Sequence, residues 1–341
     1  MSIRVGIIGG GNISDTHARA ALEIPGVEIV AMHGGNLERT RSLADKYGGT
    51  VYPDIESFLN HRPMEVVLIG SPSGMHAEQA MAALERGLHV LSEKPLDVST
   101  RKVDELLAAA EGRGAKLGVF FQNRAAPDVA WLKRLVDQGG LGDIFLATAQ
   151  VKWYRPPEYY ANSRWRGTWA LDGGGALMNQ GVHTVDLLLW LMGDIRDVYA
   201  HTRTALHEIE VEDTVVACLE FASGAVGALE ATTAAYPGFP RRLELTGSNG
   251  TVVVEENRVS FVGLHSGPDE PPPDGTAGSN ESASSATVSD VSAHRAVLED
   301  FLDAVANDRE PLCNGREARR SVAVVEAIYQ SARDHRPVAP H

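Results

Sequence analysis

The sequence has few cysteines, no long apolar run and no excess of positive charge, and each absence excludes a class of protein. Its 341 residues include only 2 cysteines, Cys218 and Cys313, which cannot build a disulfide framework and do not form a CxxC motif. No apolar stretch is long enough to span a membrane, and the first residues show no signal-peptide pattern. The net charge of −14 disfavours nucleic acid or an anionic membrane as a partner. We therefore expect a cytoplasmic protein with neither of these partners.

At about 150 residues per domain, the chain is long enough for roughly two domains. Over residues 1–121, short runs rich in Val, Ile and Leu alternate with stretches of helical periodicity, as in parallel strands covered on both faces. This α/β pattern predicts a doubly wound parallel sheet. The predicted strands are residues 5–8, 29–32, 66–69, 90–91 and 117–121, and the predicted helices are 13–22, 37–47, 76–86 and 100–113.

Residues 122–341 follow a different pattern, which predicts an α+β domain with a mostly antiparallel sheet. Gly247-Ser248-Asn249-Gly250 is typical of a hairpin turn. The stretch 266–290 has almost no large apolar residue and predicts a mobile loop. A closing helix can pack back on the first domain. The predicted strands are 144–154, 214–221, 225–234, 242–246 and 251–255, and the predicted helices are 176–192, 294–307 and 316–333.

A glycine-rich turn follows the first predicted strand and opens a helix. Gly9 and Gly11 occupy the first two positions of the dinucleotide-binding fingerprint, and Ser14 stands at the third. Such a turn lets the backbone approach a pyrophosphate beside Asn12 and Ile13 at the helix start. The alternative is a glycine turn that binds nothing.

The second predicted strand lacks the acidic residue that reads the ribose of NAD. Gly34 stands about where this acid is expected, so nothing there repels a 2′-phosphate. Asn36, Arg39 or Arg41 can contact the ribose or phosphate, although Asn36 can equally cap the helix that begins at Leu37. The sequence therefore leaves NAD and NADP open.

Two further motifs follow predicted strands, at the edge where open α/β sheets bind ligands. The first contains Ser71, Pro72 and His76, and the second contains Glu93 and Lys94. A lysine beside a cofactor can take part in proton transfer. A proline turn and a solvated lysine are the ordinary interpretations of the same residues.

The apolar helix predicted over 176–192 carries Asn179, His183 and Asp186 on one face, at spacing i, i+4 and i+7. Polar groups on a buried helix must be satisfied in the core or face a site. Three in register behind Gly173-Gly174-Gly175 favour a site over a structural role. No third or fourth ligand accompanies His183 and Asp186, so we predict no metal.

An aromatic and arginine-rich stretch precedes that helix. Aromatic faces and arginine forks suit a sugar-like or anionic ligand. The same residue types are enriched at subunit interfaces, and the sequence leaves both interpretations open. The candidates are Tyr154, Arg155, Trp165 and Arg166.

Together these motifs resemble the Gfo/Idh/MocA oxidoreductases, the family of glucose–fructose oxidoreductase and inositol dehydrogenase. The match covers nearly the whole chain and includes Gln122-Asn123-Arg124 and the helix with Gly181, His183 and Asp186. The resemblance implies an N-terminal Rossmann domain and a C-terminal domain with a large open sheet. It further implies that the substrate lies between the domains, and that the sheet builds a homodimer or homotetramer.

The resemblance also implies roles for individual residues. Lys94 and His183 would handle the substrate proton, with Asp186 orienting His183. Asn179 stands where many members have an aspartate, and since an amide cannot take a proton, it would instead bind a substrate hydroxyl. Gln122 would contact the cofactor and Asn123 the substrate.

We therefore expect a dehydrogenase that uses NAD or NADP to oxidise a ring hydroxyl of a small sugar, sugar derivative or inositol. The Asn-Gln-Gly-Val-His sequence most resembles members that act at C3, including those acting on nucleotide-linked sugar acids. One alternative is a redox-neutral enzyme with tightly bound cofactor. The other is a non-catalytic sensor of a sugar or dinucleotide.

Overall fold

This computed structural model describes residues 2–267, 271–273 and 290–341. The predicted mobile loop, 266–290, lies mostly outside the described residues. The described residues form two compact units. The first comprises residues 2–122 and 290–319, and the second comprises residues 123–267, 271–273 and 320–341. Residues 290–319 thus group with the first unit, whereas the sequence predicted them to be part of the second domain. This segment includes the helix predicted over 294–307. No helix in the described ranges is long and apolar enough to cross a bilayer.

The first unit contains a parallel sheet with strand order β3-β2-β1-β4-β5-β6 within the described residues. This is the doubly wound order of dinucleotide-binding domains, and it confirms the predicted fold class. All four residues of β4 are buried, as expected for a strand covered on both faces. The strands are β1 (Ile3–Ile8), β2 (Val27–His33), β3 (Thr50–Tyr52), β4 (Val66–Ile69), β5 (His89–Ser92) and β6 (Leu117–Val119).

The second unit contains a sheet with order β13-β12-β11-β7-β10-β9-β8 in the part of the chain described. Among the described strands of this sheet, only β7 and β10 pair in parallel, so the sheet is mostly antiparallel, as predicted. The hairpin at Ser248 and Asn249 is confirmed, because β11 ends and β12 begins beside these residues. The strands are β7 (Ile144–Lys152), β8 (Ile195–Arg203), β9 (Thr214–Phe221), β10 (Val226–Thr232), β11 (Arg242–Gly247), β12 (Gly250–Glu255) and β13 (Arg258–Leu264).

Most predicted helices are present, with shifted ends. α5 ends at Ala110, three residues earlier than predicted, and Gly112 and Gly114 then turn the chain with positive φ. The helices are α1 (Asn12–Leu22), α2 (Leu37–Tyr47), α3 (Ile55–Leu59), α4 (His76–Leu84), α5 (Thr100–Ala110), α6 (Pro127–Asp137), α7 (Pro157–Ala161), α8 (Val182–Met192), α9 (Ser292–Ala306) and α10 (Gly315–Asp334).

The single helix predicted over 176–192 is wrong over its first six residues. Residues Ala176–Gly181 form a π-helical turn, and the regular helix α8 begins at Val182. A π turn is wider than an α turn, so the assumed helical geometry does not hold at Asn179. Such turns are rare and are often found at functional sites.

Candidate active site

Glycine shapes the turn after β1. Gly9 has a φ of 134°, and a Cβ there would collide with Ser14 Oγ and lie 2.7 Å from the Gly70 carbonyl oxygen. Gly11 faces open space, with no heavy atom within 4 Å of where its Cβ would be. The turn therefore lets another molecule approach the backbone closely, at the carboxyl edge of the sheet.

Backbone N–H groups and buried side-chain oxygens that could bind a ligand lie at the same carboxyl edge of the parallel sheet. α1 begins at Asn12, so the N–H groups of Asn12 and Ile13 have no partner within the helix. The buried oxygens Ser14 Oγ, Ser92 Oγ and Gln122 Oε1 have no hydrogen-bond partner among the described residues. Buried polar groups are normally satisfied, so these oxygens fit a site for a polar ligand. The helix start fits the pyrophosphate of a dinucleotide.

The end of β2 offers no carboxylate to a ribose. A Cβ at Gly34 would lie 2.6 Å from Thr40 Oγ1 and 3.0 Å from the Gly9 backbone, so a side chain does not fit there. The side chain of Asn36 accepts a hydrogen bond from the Arg39 N–H at 3.0 Å, which confirms that it caps α2. The Arg39 side chain is exposed. This edge is compatible with both NAD and NADP.

His76 connects two loops at this edge. Its Nδ1 lies 2.7 Å from the Pro95 carbonyl oxygen, and its Nε2 lies 2.8 Å from the Ser71 carbonyl oxygen. Burial lowers the pKa of His76. The neutral imidazole has one N–H, so it donates a hydrogen bond to one of these carbonyl oxygens while lying between the turn at Ser71 and the segment that follows Lys94.

Glu93 is buried and anchored by two histidines that the sequence analysis did not identify. Its Oε1 lies 3.0 Å from His17 Nε2 on α1 and 3.8 Å from His294 Nε2 on α9. Burial alone would raise the pKa of Glu93, but the hydrogen bond and charge of His17 lower it to about 2. Its Oε2 accepts the Lys94 N–H at 3.2 Å. The network therefore holds the backbone beneath the half-buried Lys94 side chain.

In the second unit, Asp186 forms a buried ion pair with Arg124. Arg124 Nε and Nη2 donate to the two carboxylate oxygens at 2.8 and 2.6 Å, and the side chains are each 1% exposed. These bonds anchor α8, and the proposed orientation of His183 by Asp186 stays a prediction. The described residues contain no group of three or more His, Cys, Asp or Glu side chains that could hold a metal.

A buried glutamate, Glu212, holds the start of the π-helical turn. Its two carboxylate oxygens accept the Gly175 N–H at 2.9 Å and the Leu177 N–H at 2.8 Å. The Tyr329 hydroxyl donates to the same carboxylate at 3.0 Å. A Cβ at Gly175 would collide with the Glu212 carbonyl oxygen, so glycine is required there. Burial raises the pKa of Glu212 to about 7, although these three donors oppose the rise.

A second buried carboxylate contacts Asn179. Asn179 Nδ2 donates to Asp172 Oδ1 at 2.6 Å, and the Gly167 N–H donates to Asp172 Oδ2 at 2.8 Å. Asp172 is 1% exposed, whereas Asn179 and His183 are half-exposed. Both remain accessible on adjacent turns of this segment. Asn123, which was also predicted to bind the substrate, is 9% exposed.

The aromatic and arginine-rich stretch forms a stacked cluster. Arg155 is 4% exposed, and its guanidinium lies 5.6 Å from the centre of the Tyr159 ring. Arg166 is half-exposed and lies 4.1 Å from the same ring and 5.4 Å from that of Trp165. Tyr154 is also half-exposed. Of the two arginines, Arg166 is better placed to meet a ligand.

Two family descriptions match successive parts of the chain. One is the oxidoreductase family with an NAD-binding Rossmann fold, over residues 3–121, and the other is the GFO/IDH/MocA C-terminal domain, over residues 129–253. The chain belongs to the Gfo/Idh/MocA oxidoreductase family. It is therefore an NAD(P)-dependent oxidoreductase, which confirms the predicted family and cofactor class.

Similar proteins act on sugars and inositols. D-glucoside 3-dehydrogenase of Escherichia coli is 30% identical over 253 residues, which cover 68% of this chain and 70% of that enzyme. Inositol 2-dehydrogenase 3 of Saccharopolyspora erythraea is 30% identical over 257 residues, covering 74% and 73%. The crystal structure of the WlbA dehydrogenase from Bordetella pertussis, in complex with NADH and UDP-GlcNAcA, matches with a TM-score of 0.89 at 33% identity. That match covers 99% of this chain and 97% of the other.

The Asp186–Arg124 pair predicts a large stability effect. We expect Asp186→Ala to lower the free energy of unfolding by about 3–5 kcal/mol, because it leaves the Arg124 charge buried and uncompensated. Urea titration measures the change. Asp194→Ala, which removes a 74% exposed side chain from a surface pair with Arg320, is the control and should cost about 1 kcal/mol or less. An equally small loss for Asp186→Ala would contradict the anchoring role.

His294 predicts a pH dependence of stability. Burial lowers its pKa from 6.5 to about 4, so the fold favours the neutral ring. The resulting stabilisation is present above pH 6.5 and is lost as the pH falls towards 4. We expect the urea midpoint of His294→Phe to fall less steeply over this interval than that of the wild type. The exposed His201→Phe should keep the wild-type slope, and equal slopes in all three proteins would refute the prediction.

Proposed function

We propose that this protein is a dehydrogenase that oxidises a ring hydroxyl, at C3, of a sugar, sugar derivative or inositol. The observation that carries the proposal is the half-buried Lys94 held by the buried Glu93 at the edge that fits a dinucleotide. The similarity to D-glucoside 3-dehydrogenase supports oxidation at C3. The similarity to a dehydrogenase crystallised with UDP-GlcNAcA supports a nucleotide-linked sugar acid as one member of the substrate class.

The reaction converts a secondary alcohol to a ketone. The hydroxyl proton passes to a base, for which Lys94 and His183 are the candidates. A nicotinamide bound at the carboxyl edge of the first sheet would supply the acceptor for the hydride that leaves the same carbon. The protein therefore has to supply a base, an orientation for the hydroxyl, and groups that recognise the rest of the substrate.

The second unit offers groups of the kind that sugars need. Arg166, Tyr154 and Trp165 present a guanidinium and aromatic faces that are half-exposed. Aromatic faces pack against the apolar face of a sugar ring, and arginine binds hydroxyl, carboxylate or phosphate oxygens. We assign these three residues, with Asn123 and Asn179, to substrate binding.

We also propose that the protein forms a homodimer or homotetramer in the cytoplasm. Leu146, Tyr199, Val216 and Val226 are large exposed side chains, and the strand register places them on one face of the second sheet. Exposed apolar side chains that share a sheet face are typical of a protein interface. Neither Cys218 nor Cys313 forms a disulfide bond, which supports a reducing compartment.

A panel of substrates tests the proposal. Methyl glucoside, myo-inositol and UDP-GlcNAcA are each mixed with the protein and NAD⁺ or NADP⁺, and the near-ultraviolet absorbance of reduced nicotinamide is followed. We expect the absorbance to rise with at least one pair, which identifies the cofactor and substrate class together. No rise with any pair, from protein that binds the dinucleotide, would favour a redox-neutral enzyme or a sensor.

Lys94→Ala tests the assignment of the base. We expect kcat to fall by about 10²–10⁴-fold, because general acid–base catalysis is lost, while the Kd of the cofactor stays near the wild-type value. Lys133→Ala, which removes a half-buried lysine paired with Asp137, is the matched control and should leave both quantities unchanged. Loss of cofactor binding with unchanged turnover per bound cofactor would contradict the assignment.

A further inference from the structure

Glu212 binds three successive N–H groups at the start of the π-helical turn. Its carboxylate oxygens accept the N–H groups of Gly175 at 2.9 Å and Leu177 at 2.8 Å. Its carbonyl oxygen accepts the N–H group of Ala176, which lies between them, at 3.1 Å. The first N–H groups of a helix have no acceptor within the helix itself, so each needs a partner from elsewhere. One residue, which is 4% exposed, supplies the acceptors for all three.

Tyr329 on α10 binds the fourth N–H group. Its hydroxyl accepts the N–H of Met178 at 3.3 Å and donates to the Glu212 carboxylate at 3.0 Å. A hydroxyl can donate and accept at once. The Tyr329 ring is buried and stands at a right angle to the Trp169 ring, with the two ring centres 5.3 Å apart. The four N–H groups of residues 175–178 are therefore held by two side chains and one carbonyl oxygen, which we call the Glu212–Tyr329 cap.

The cap holds the segment that carries Asn179 and leads into the helix of His183. A π turn encloses one more residue than an α turn. If the turn tightened into an α turn, the direction of the Asn179 side chain would therefore rotate relative to that of His183. Loss of an acceptor in the cap leaves a buried N–H group without a partner, and this favours such a rearrangement.

We propose that Glu212 and Tyr329 are positioning residues, which keep the π-helical turn in shape and thereby fix the direction of Asn179 relative to His183. They act through the backbone of the turn and need no contact with the substrate. The inference rests on the proposed function, because Asn179 and His183 have to meet the substrate for their direction to affect turnover.

The cap is complete only while Glu212 is ionised, because a protonated carboxyl uses one of its two oxygens as a donor. Burial raises the pKa of Glu212 to about 7, and the Tyr329 hydroxyl opposes the rise. Burial also raises the pKa of Tyr329 and of Tyr160 on α7, so both stay neutral near pH 7. The pKa of Asp213, the next residue in the chain, is lowered by backbone N–H groups. The charge of the buried Asp172 influences both tyrosines and is present in every variant below.

Two variants remove different parts of the cap. Tyr329→Phe keeps the ring but loses the hydroxyl that holds Met178. Glu212→Gln keeps the shape of the side chain but replaces one acceptor oxygen with an NH₂ group. Tyr52→Phe is the matched control, because it removes a tyrosine hydroxyl that lies 2.9 Å from His61 Nδ1 in the first unit.

Hydrogen exchange tests the cap without a substrate and independently of the proposed function. We expect the Met178 N–H to exchange about tenfold faster in Tyr329→Phe than in the wild type, because a buried donor loses its acceptor. In Glu212→Gln, the N–H of Gly175 or Leu177 should show the same acceleration. Exchange in β9, which is paired on both sides, should stay unchanged. Wild-type exchange rates throughout the turn in both variants would overturn the cap.

A second measurement uses whichever of methyl glucoside, myo-inositol and UDP-GlcNAcA is turned over. At about pH 8, we expect each cap variant to raise KM about tenfold, because Asn179 no longer faces the substrate in one fixed direction. The Kd of the cofactor should stay near the wild-type value, since the glycine turn that fits a dinucleotide lies in the first unit. The control should keep both values. Activity that falls only in proportion to the folded fraction, with an unchanged KM, would overturn the inference.

The pH profile separates positioning from a general loss of stability. We expect kcat/KM of the wild type to fall as the pH drops below about 7, because Glu212 then takes up a proton. Tyr329→Phe removes a donor that lowers the pKa of Glu212, so the fall should begin at a higher pH. Added to Glu212→Gln, the same change should leave the profile in place, which excludes Lys94 and His183 as the cause. A profile that Tyr329→Phe does not shift, or shifts equally in both backgrounds, would overturn the inference. If Glu212→Gln does not fold, the shift in Tyr329→Phe decides alone.

Discussion

Close packing of two glycines, Gly174 and Gly175, against Tyr329 and the Glu212 backbone is the constraint on which the π-helical turn of the second unit depends. A Cβ at Gly174 would collide with the Tyr329 hydroxyl, and one at Gly175 with the Glu212 carbonyl oxygen. This close approach lets the Glu212 carboxylate reach the first N–H groups of the π-helical turn. Each of these groups would otherwise be a buried donor costing about 1–3 kcal/mol. The turn, and the position of Asn179 on it, follow from that contact.

The first unit also has a buried carboxyl that accepts a backbone N–H, but its pKa is very different. Burial raises the pKa of both carboxyls, but the interaction with His17 brings the pKa of Glu93 down to about 2, whereas two backbone N–H groups and the Tyr329 hydroxyl leave the pKa of Glu212 at about 7. A buried charge is costly without a partner of opposite charge, and hydrogen bonds from neutral groups offset only part of that cost. The pKa of Glu93 therefore lies well below neutral pH, whereas that of Glu212 lies close to it.

Much of the first unit could be predicted because its signals are local. The apolar run of β4 and the glycine turn at Gly9 follow from neighbouring residues alone. The partners of the site residues could not be found in this way: Arg124 is 62 residues from Asp186, and Glu212 is 37 residues from Gly175. The polar spacing in the predicted helix therefore indicated a shared face, whereas Asn179 contacts Asp172 and Asp186 contacts the distant Arg124. The π turn was missed for the same reason, since its stabilising carboxylate is distant in sequence.

The parallel sheet of the first unit is completed by residues from near the other end of the chain. The Val119 N–H on the edge strand β6 donates to the Cys313 carbonyl oxygen at 2.8 Å, and Phe301 packs where a Cβ on Gly118 would lie. During synthesis, β6 leaves the ribosome long before the segment that covers it. The nascent domain then exposes an unpaired strand edge and an uncovered apolar surface, the features that promote aggregation. Folding of the nucleotide-binding unit is thus tied to synthesis of the segment around Phe301 and Cys313, some two hundred residues after β6.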